Sequence, residues 1–199
     1  MPKRAIMRCS PTARSAPVDE GGFTLVEVLV AAGLVATGAT VLAALLTLAA
    51  VANRTARHAT FATVLAQQKM EQLRGLAWGF DGAGSPVTDV TTDISVVPFN
   101  NGGVGLSPSP AGSLARNLSG YVDYLDANGA WVGSGSTIPR AAVYIRRWSI
   151  EPLPAGPDNT LVLQVLVMRK ASRNDGGGGS GPRLPEDARL TSVKTRKAP

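Results

Sequence analysis

Between residues 23 and 52 the chain reads FTLVEVLVAAGLVATGATVLAALLTLAAVA, and its one charged side chain is Glu27. A carboxylate within an apolar membrane helix costs about 2.5–3.5 kcal/mol or more at the bilayer centre, so it calls for a partner or a task. Glu27 stands near the start of the run, where the positive end of a helix favours an anion. The other chemistry-bearing residues do not converge. His58 is the lone histidine and sits beside Arg57 on a helix, where it is expected to face solvent; without a second ligand of the right type nearby it makes no metal site. Cys9, the lone cysteine, precedes the apolar run and allows neither an internal disulfide nor a Cys-rich metal site. Asp89, Asp93, Asp123, Asp126 and Asp158 are scattered among turns, where Asp is usually structural. Asp123, Asp126 and Asn128 are hard oxygen donors close in sequence and of a type that suits calcium, but the turn role outweighs a metal role. The glycine stretches 102–105 and 176–181 do not join a strand to a helix, as a phosphate loop must. No Ser-His-Asp or Cys-His arrangement assembles. The expectation is therefore no enzyme, no metal and no cofactor.

The elements that carry Glu27 follow from the charge and apolar patterns. Residues 1–22 are polar, contain Pro2, Pro11 and Pro17, and hold Lys3, Arg4, Arg8 and Arg14, so they read as a disordered leader. Residues 23–52 would form a helix about 45 Å long, more than the roughly 30 Å of a bilayer core. Basic residues before the run place the N-terminus in the cytoplasm. Residues 53–77 continue without proline but become amphipathic: Ala62, Leu65, Ala66, Met70, Leu73, Leu76 and Ala77 share one face, with Arg57, Gln67, Glu71 and Arg74 largely off it. One helix is thus expected from about Phe23 to about Gly75, apolar all round in its first half and packed on its own domain in the second.

The remainder, residues 78–170, reads as a small antiparallel β domain. The whole chain has a net charge of +6 and only 5% aromatic residues, which implies a small aliphatic core. Residues 80–119 are rich in Gly, Ser, Pro and Asn and read as a long loop, with Ile94–Phe99 as a short edge strand. Tyr121–Leu125 and Trp131–Val132 flank Asn128-Gly129, a hairpin signal. Ala141–Glu151 and Thr160–Met168 are dense in β-formers and are joined by a turn rich in Pro, Gly, Asp and Asn. Their apolar face is expected on helix residues 61–77, which gives an α+β fold. Residues 171–199 form a Gly/Pro-rich basic tail with a linker composition at 171–185 and a weak edge strand at 188–195. Trp78, Trp131 and Trp148 are expected in packing. The basic end lacks interleaved aromatics and reads as solvated, so nucleic acid is not the expected partner.

Gly22-Phe23-Thr24-Leu25-Val26-Glu27, followed at once by a long apolar helix, resembles the prepilin cleavage and methylation motif of the type IV pilin family. The resemblance is close over residues 15–52. Gln67-Gln68-Lys69-Met70-Glu71-Gln72-Leu73-Arg74 and, more weakly, Arg146-Arg147-Trp148 are similar to PilV-like minor pilins and the I-type pseudopilins of type II secretion. The resemblance implies a pilin-like fold and a leader removed after Gly22 by prepilin peptidase, for which Gly21-Gly22 would give backbone access. It further implies an α-amine on Phe23 open to N-methylation, and pairing of that amine with Glu27 of a neighbouring subunit. The partners implied are other pilin or pseudopilin subunits, the peptidase/methyltransferase and the inner-membrane assembly machinery. The implied location is a single pass of the inner membrane, with the domain periplasmic or in a pilus. Many major pilins have a helix-kinking proline and a C-terminal disulfide; this chain has neither in the corresponding segments, which favours a minor subunit. A DNA- or surface-binding minor pilin of a competence system is the alternative, and a basic groove on the domain would mark it.

Overall fold

The computed structural model describes residues 21–170 and 184–196. Most of the expected leader, Cys9 and most of the Gly-rich linker lie outside the described residues. The chain divides into two units between Leu48 and Ala49. Helix α1 spans Leu25–Gly75. No proline interrupts it, and leucine and alanine, both strong helix formers, dominate its composition. In the stretch 25–48 its large apolar side chains, Leu25, Leu29, Leu34, Val35, Leu42 and Leu46 among them, are all exposed. The sequence pattern changes after residue 52, and burial begins on one face: Ala62, Leu65, Ala66, Lys69, Met70 and Leu73 are buried.

That face lies against a five-stranded antiparallel sheet in the order β6-β5-β7-β8-β9. The strands are β5 (Val122–Leu125), β6 (Trp131–Ser134), β7 (Tyr144–Pro152), β8 (Thr160–Arg169) and β9 (Ala188–Thr195). Two ribbons precede it: β1 (Trp78–Phe80) with β2 (Pro86–Thr88), and β3 (Thr92–Asp93) with β4 (Asn100–Asn101). The layout is α+β. Because strand side chains alternate, Trp148 and Ile150 of β7 and their cross-strand partners Val165 and Leu163 of β8 join Leu65, Ala66 and Leu73 in one core. The intervening residues build a second cluster, in which Val122, Tyr124, Ile145 and Met168 are packed with Ala142 and Ile138. The hairpin at Asn128-Gly129 forms as its sequence predicts. Asp126 Oδ1 accepts hydrogen bonds from the Asn128 and Ala130 amides. Gly129 has φ +81°, a conformation that favours glycine, and a Cβ there would come within 2.9 Å of the tip of Leu65.

Three local expectations are corrected. Ile94–Phe99 is a turn, not a strand. Its carbonyls serve side chains instead of a ladder: Lys69 Nζ donates to Ile94 O at 2.7 Å and Trp131 Nε1 to Ser95 O at 2.8 Å. His58 is half-buried, with Nδ1 3.0 Å from the Tyr144 hydroxyl, because it leads the same helix face that Ala62 and Leu65 continue. The basic end is not merely solvated, and the edge strand expected at 188–195 forms as Ala188–Thr195. β9 pairs with β8 along its whole length, and Lys194 Nζ donates to the carbonyls of Arg74 and, at 2.7 Å, Leu76 at the C-terminus of α1, where a cation is favoured. Arg196 lies 3.7 Å above the Trp78 ring and donates to Gly79 O and Val87 O.

Candidate functional site

Gly22 and Phe23 are exposed and precede the helix. Thr24 caps it: the Glu27 amide donates to Thr24 Oγ1 at 3.2 Å, and the Val28 amide to Thr24 O at 3.2 Å. Thr24 satisfies one of the orphan amides of the first turn, so the Gly22–Phe23 peptide lies outside the helical ladder. Backbone hydrogen bonds of a helix shield a peptide from a protease, and this peptide has none of that shielding. A Cβ on Gly21 or Gly22 would meet nothing within 4 Å, so the fold does not require glycine at either position. Glu27 occupies the third helical position, close to the positive end of the helix dipole.

From Val28 to Ala52 the helix carries no further charged side chain. The threonines of that stretch return to the helix backbone: Thr37 Oγ1 donates to Gly33 O at 2.8 Å, Thr40 to Ala36 O at 2.8 Å and Thr47 to Ala43 O at 2.9 Å. Such bonds leave no hydroxyl donor unsatisfied where water is absent. Glu27 is the one group of the run that this device cannot neutralise. The helix is long and apolar enough to span a membrane.

The second concentration of charge lies inside the domain. Asp123 and Arg146 stand directly opposite each other on β5 and β7 and point to the helix face of the sheet. The Arg146 fork grips the carboxylate, Nε to Oδ1 at 2.9 Å and a terminal nitrogen to Oδ2 at 2.8 Å, while its other terminal nitrogen donates to Leu65 O at 3.0 Å. Lys69 of α1 completes the cluster, with Nζ 2.8 Å from Asp123 Oδ2 and 4.4 Å from the Trp148 ring centroid. Lys69 and Asp123 are fully buried and Arg146 nearly so. Two cations therefore share one carboxylate, and the remaining positive charge is spread onto the Trp148 face and two carbonyls. Sequence reasoning missed this site, although Lys69 lies four residues after Leu65 and four before Leu73, in the middle of the buried stripe.

Burial pushes the Lys69 ammonium down to about 8; Asp123 opposes the shift and Arg146 adds to it. Its pKa of 10.5 in the unfolded chain lies above that, so between the two values the unfolded state holds more protons and stability rises with pH. The contribution is complete above 10.5 and is lost as pH falls through about 8. Tyr124, pushed up to about 12 by burial, acts with the opposite sign above its ordinary value of 10.0. From pH 8 to 10, urea titrations are expected to show wild type gaining about 1–2 kcal/mol relative to Lys69→Met. Parallel pH profiles would exclude titration of Lys69 in that window.

The remaining candidates do not assemble. Asp123 is engaged by Lys69 and Arg146, and Asp126 holds its own turn, so the oxygen donors considered for calcium are directed elsewhere. Among the described residues no group of three or more His, Cys, Asp or Glu side chains is placed to hold a metal ion. Comparisons with protein families, with curated proteins and with solved structures return no match, so the functional reading rests on the residues of this chain.

Proposed function

We propose that this chain is a minor pilin or pseudopilin, a structural subunit with a pilin-like fold, processed between Gly22 and Phe23 and inserted through its apolar helix into a type IV pilus or type II secretion pseudopilus. The observation that carries the reading is the arrangement at the start of α1. An exposed, unshielded Gly22–Phe23 peptide precedes the Thr24 cap, and a lone carboxylate, Glu27, follows it on a helix whose apolar surface over residues 25–52 is bare on every side. Cutting that peptide would leave a cationic amine on Phe23, four residues before Glu27. Within a helix bundle, the amine of one subunit and Glu27 of another would neutralise each other in a medium where neither charge is tolerated alone. Methylation of the amine keeps its charge and therefore the pairing. Before assembly the chain would be held in the inner membrane by this one helix, with its domain on the far side from the leader. Lys194 and Arg196, two of the cations a nucleic-acid-binding subunit would present, are instead directed at backbone carbonyls.

The deciding experiment is the mass of the mature chain in its native host. A chain beginning at Phe23, with or without added methyl groups, is expected; a chain retaining residue 1 in cells with an active prepilin peptidase would make it a plain membrane anchor. Glu27→Ala separates processing from assembly. Its leader is expected to be removed as in wild type, because the scissile peptide and Thr24 are untouched. Its amount in sheared filaments is expected to fall at least tenfold, the equivalent of about 1.4 kcal/mol of lost pairing. Normal incorporation of the variant, measured by immunoblot, would rule out the amine–carboxylate pair.

A further inference from the structure

We propose that Arg54 and Arg57 form a binding site for the phosphate group of an anionic phospholipid in the leaflet that the helix reaches after crossing the membrane; this rests on the membrane-spanning reading of α1. The two arginines come two and five residues after Ala52, the last residue of the apolar run, and α1 continues unbroken through both. At about 1.5 Å per residue, residues 23–52 cover about 45 Å, which matches the roughly 40–45 Å of a bilayer with its headgroup layers. Arg54 and Arg57 therefore arrive at the level of the far headgroups.

Both side chains are exposed. They are three residues apart and so lie side by side on the helix. The packing face begins elsewhere: His58 meets Tyr144, and Ala62 and Leu65 enter the core. Neither arginine has an ion-pair partner among the described residues, and the next acid along the helix is Glu71, which pairs with Arg74. Two guanidinium forks with no ion-pair partner among the described residues, one turn apart, fit phosphate oxygens through bidentate hydrogen bonds. An apolar helix surface adjoins them on the N-terminal side and would lie along the acyl chains of the same lipid. That combination favours a phospholipid over a free anion.

The test uses the full chain reconstituted in phosphatidylcholine bilayers containing phosphatidylglycerol. Vesicle flotation first establishes that wild type and R54Q/R57Q both enter the bilayer. Lipid retained per chain after mild detergent extraction is then read by native mass spectrometry. R54Q/R57Q is expected to retain roughly thirtyfold less phosphatidylglycerol, the sum of two headgroup-level charges. Equal retention would overturn the site. So would displacement of the lipid by millimolar inorganic phosphate, which marks a free-anion site, or recovery of wild type with a second copy of the chain in place of lipid. Failure of both proteins to float would overturn the membrane reading itself.

Discussion

Gly22→Val is expected to leave the chain at the mass of residues 1–199, with residues 23–199 below detection, in cells whose prepilin peptidase processes the wild type. The substitution isolates recognition from folding. Gly22 lies ahead of the Thr24 cap, its backbone is not in the left-handed region that favours glycine, and a Cβ there meets no atom within 4 Å. Valine is therefore accommodated without strain, and its cost to the domain is expected within about 0.5 kcal/mol, as for other surface changes. What changes is access to the peptide: a branched side chain stands where an enzyme must lie flat on the backbone. Gly21→Ala serves as the comparison, since that residue is equally exposed and free of contacts but is not next to the bond. Unimpaired processing of Gly22→Val would show that the bond is not the one cut. A circular dichroism spectrum and melting curve matching wild type would assign a processing defect to the peptidase.

How far the sequence reached depended on whether a feature is periodic or brought together by the fold. The helix was legible because no proline interrupts its apolar run or the amphipathic stripe that follows, and it ends at Gly75, where a stop was expected. The strands β5, β7 and β8 were legible from runs of β-branched and aromatic residues, and the turn at Asn128-Gly129 from its residue types. The Ile94–Phe99 segment has strand composition but folds as a turn, because Lys69 and Trp131, distant in sequence, take the carbonyls a ladder would need. Likewise β9 gave a weak signal, since its residues alternate between half-buried and exposed and its anchors, Lys194 and Arg196, bind elements more than a hundred residues earlier. Lys69 was hidden by its own charge. Its position marks it as core, its type marks it as surface, and only the meeting of β5 and β7 reveals the carboxylate that resolves the conflict.

That carboxylate carries the largest stability effect expected in the domain. Asp123→Ala removes the counter-charge from two buried cations 2.8 Å away, and neither can reach water: Lys69 is locked between Trp148 and Ile94, and Arg146 is bound to Leu65. Breaking a buried pair by removing one partner costs about 3–5 kcal/mol, because the charge left behind keeps its desolvation penalty and loses its partner. That is a large share of the stability of an ordinary domain, so urea midpoints and melting temperatures are expected to fall sharply and expression to drop. Removing all three charges together, as Lys69→Met, Asp123→Leu and Arg146→Met, leaves no isolated charge; the triple variant is expected to recover most of the loss. If it is as unstable as Asp123→Ala, the cluster acts by shape and not by charge balance. If it is stable but α1 no longer docks in one register, seen as loss of the Lys69-level protection from hydrogen exchange along residues 62–73, the ions specify where the helix sits. The geometry supports that second role: an aliphatic stripe can slide by a turn along a sheet, whereas Lys69 meets Asp123 in only one register.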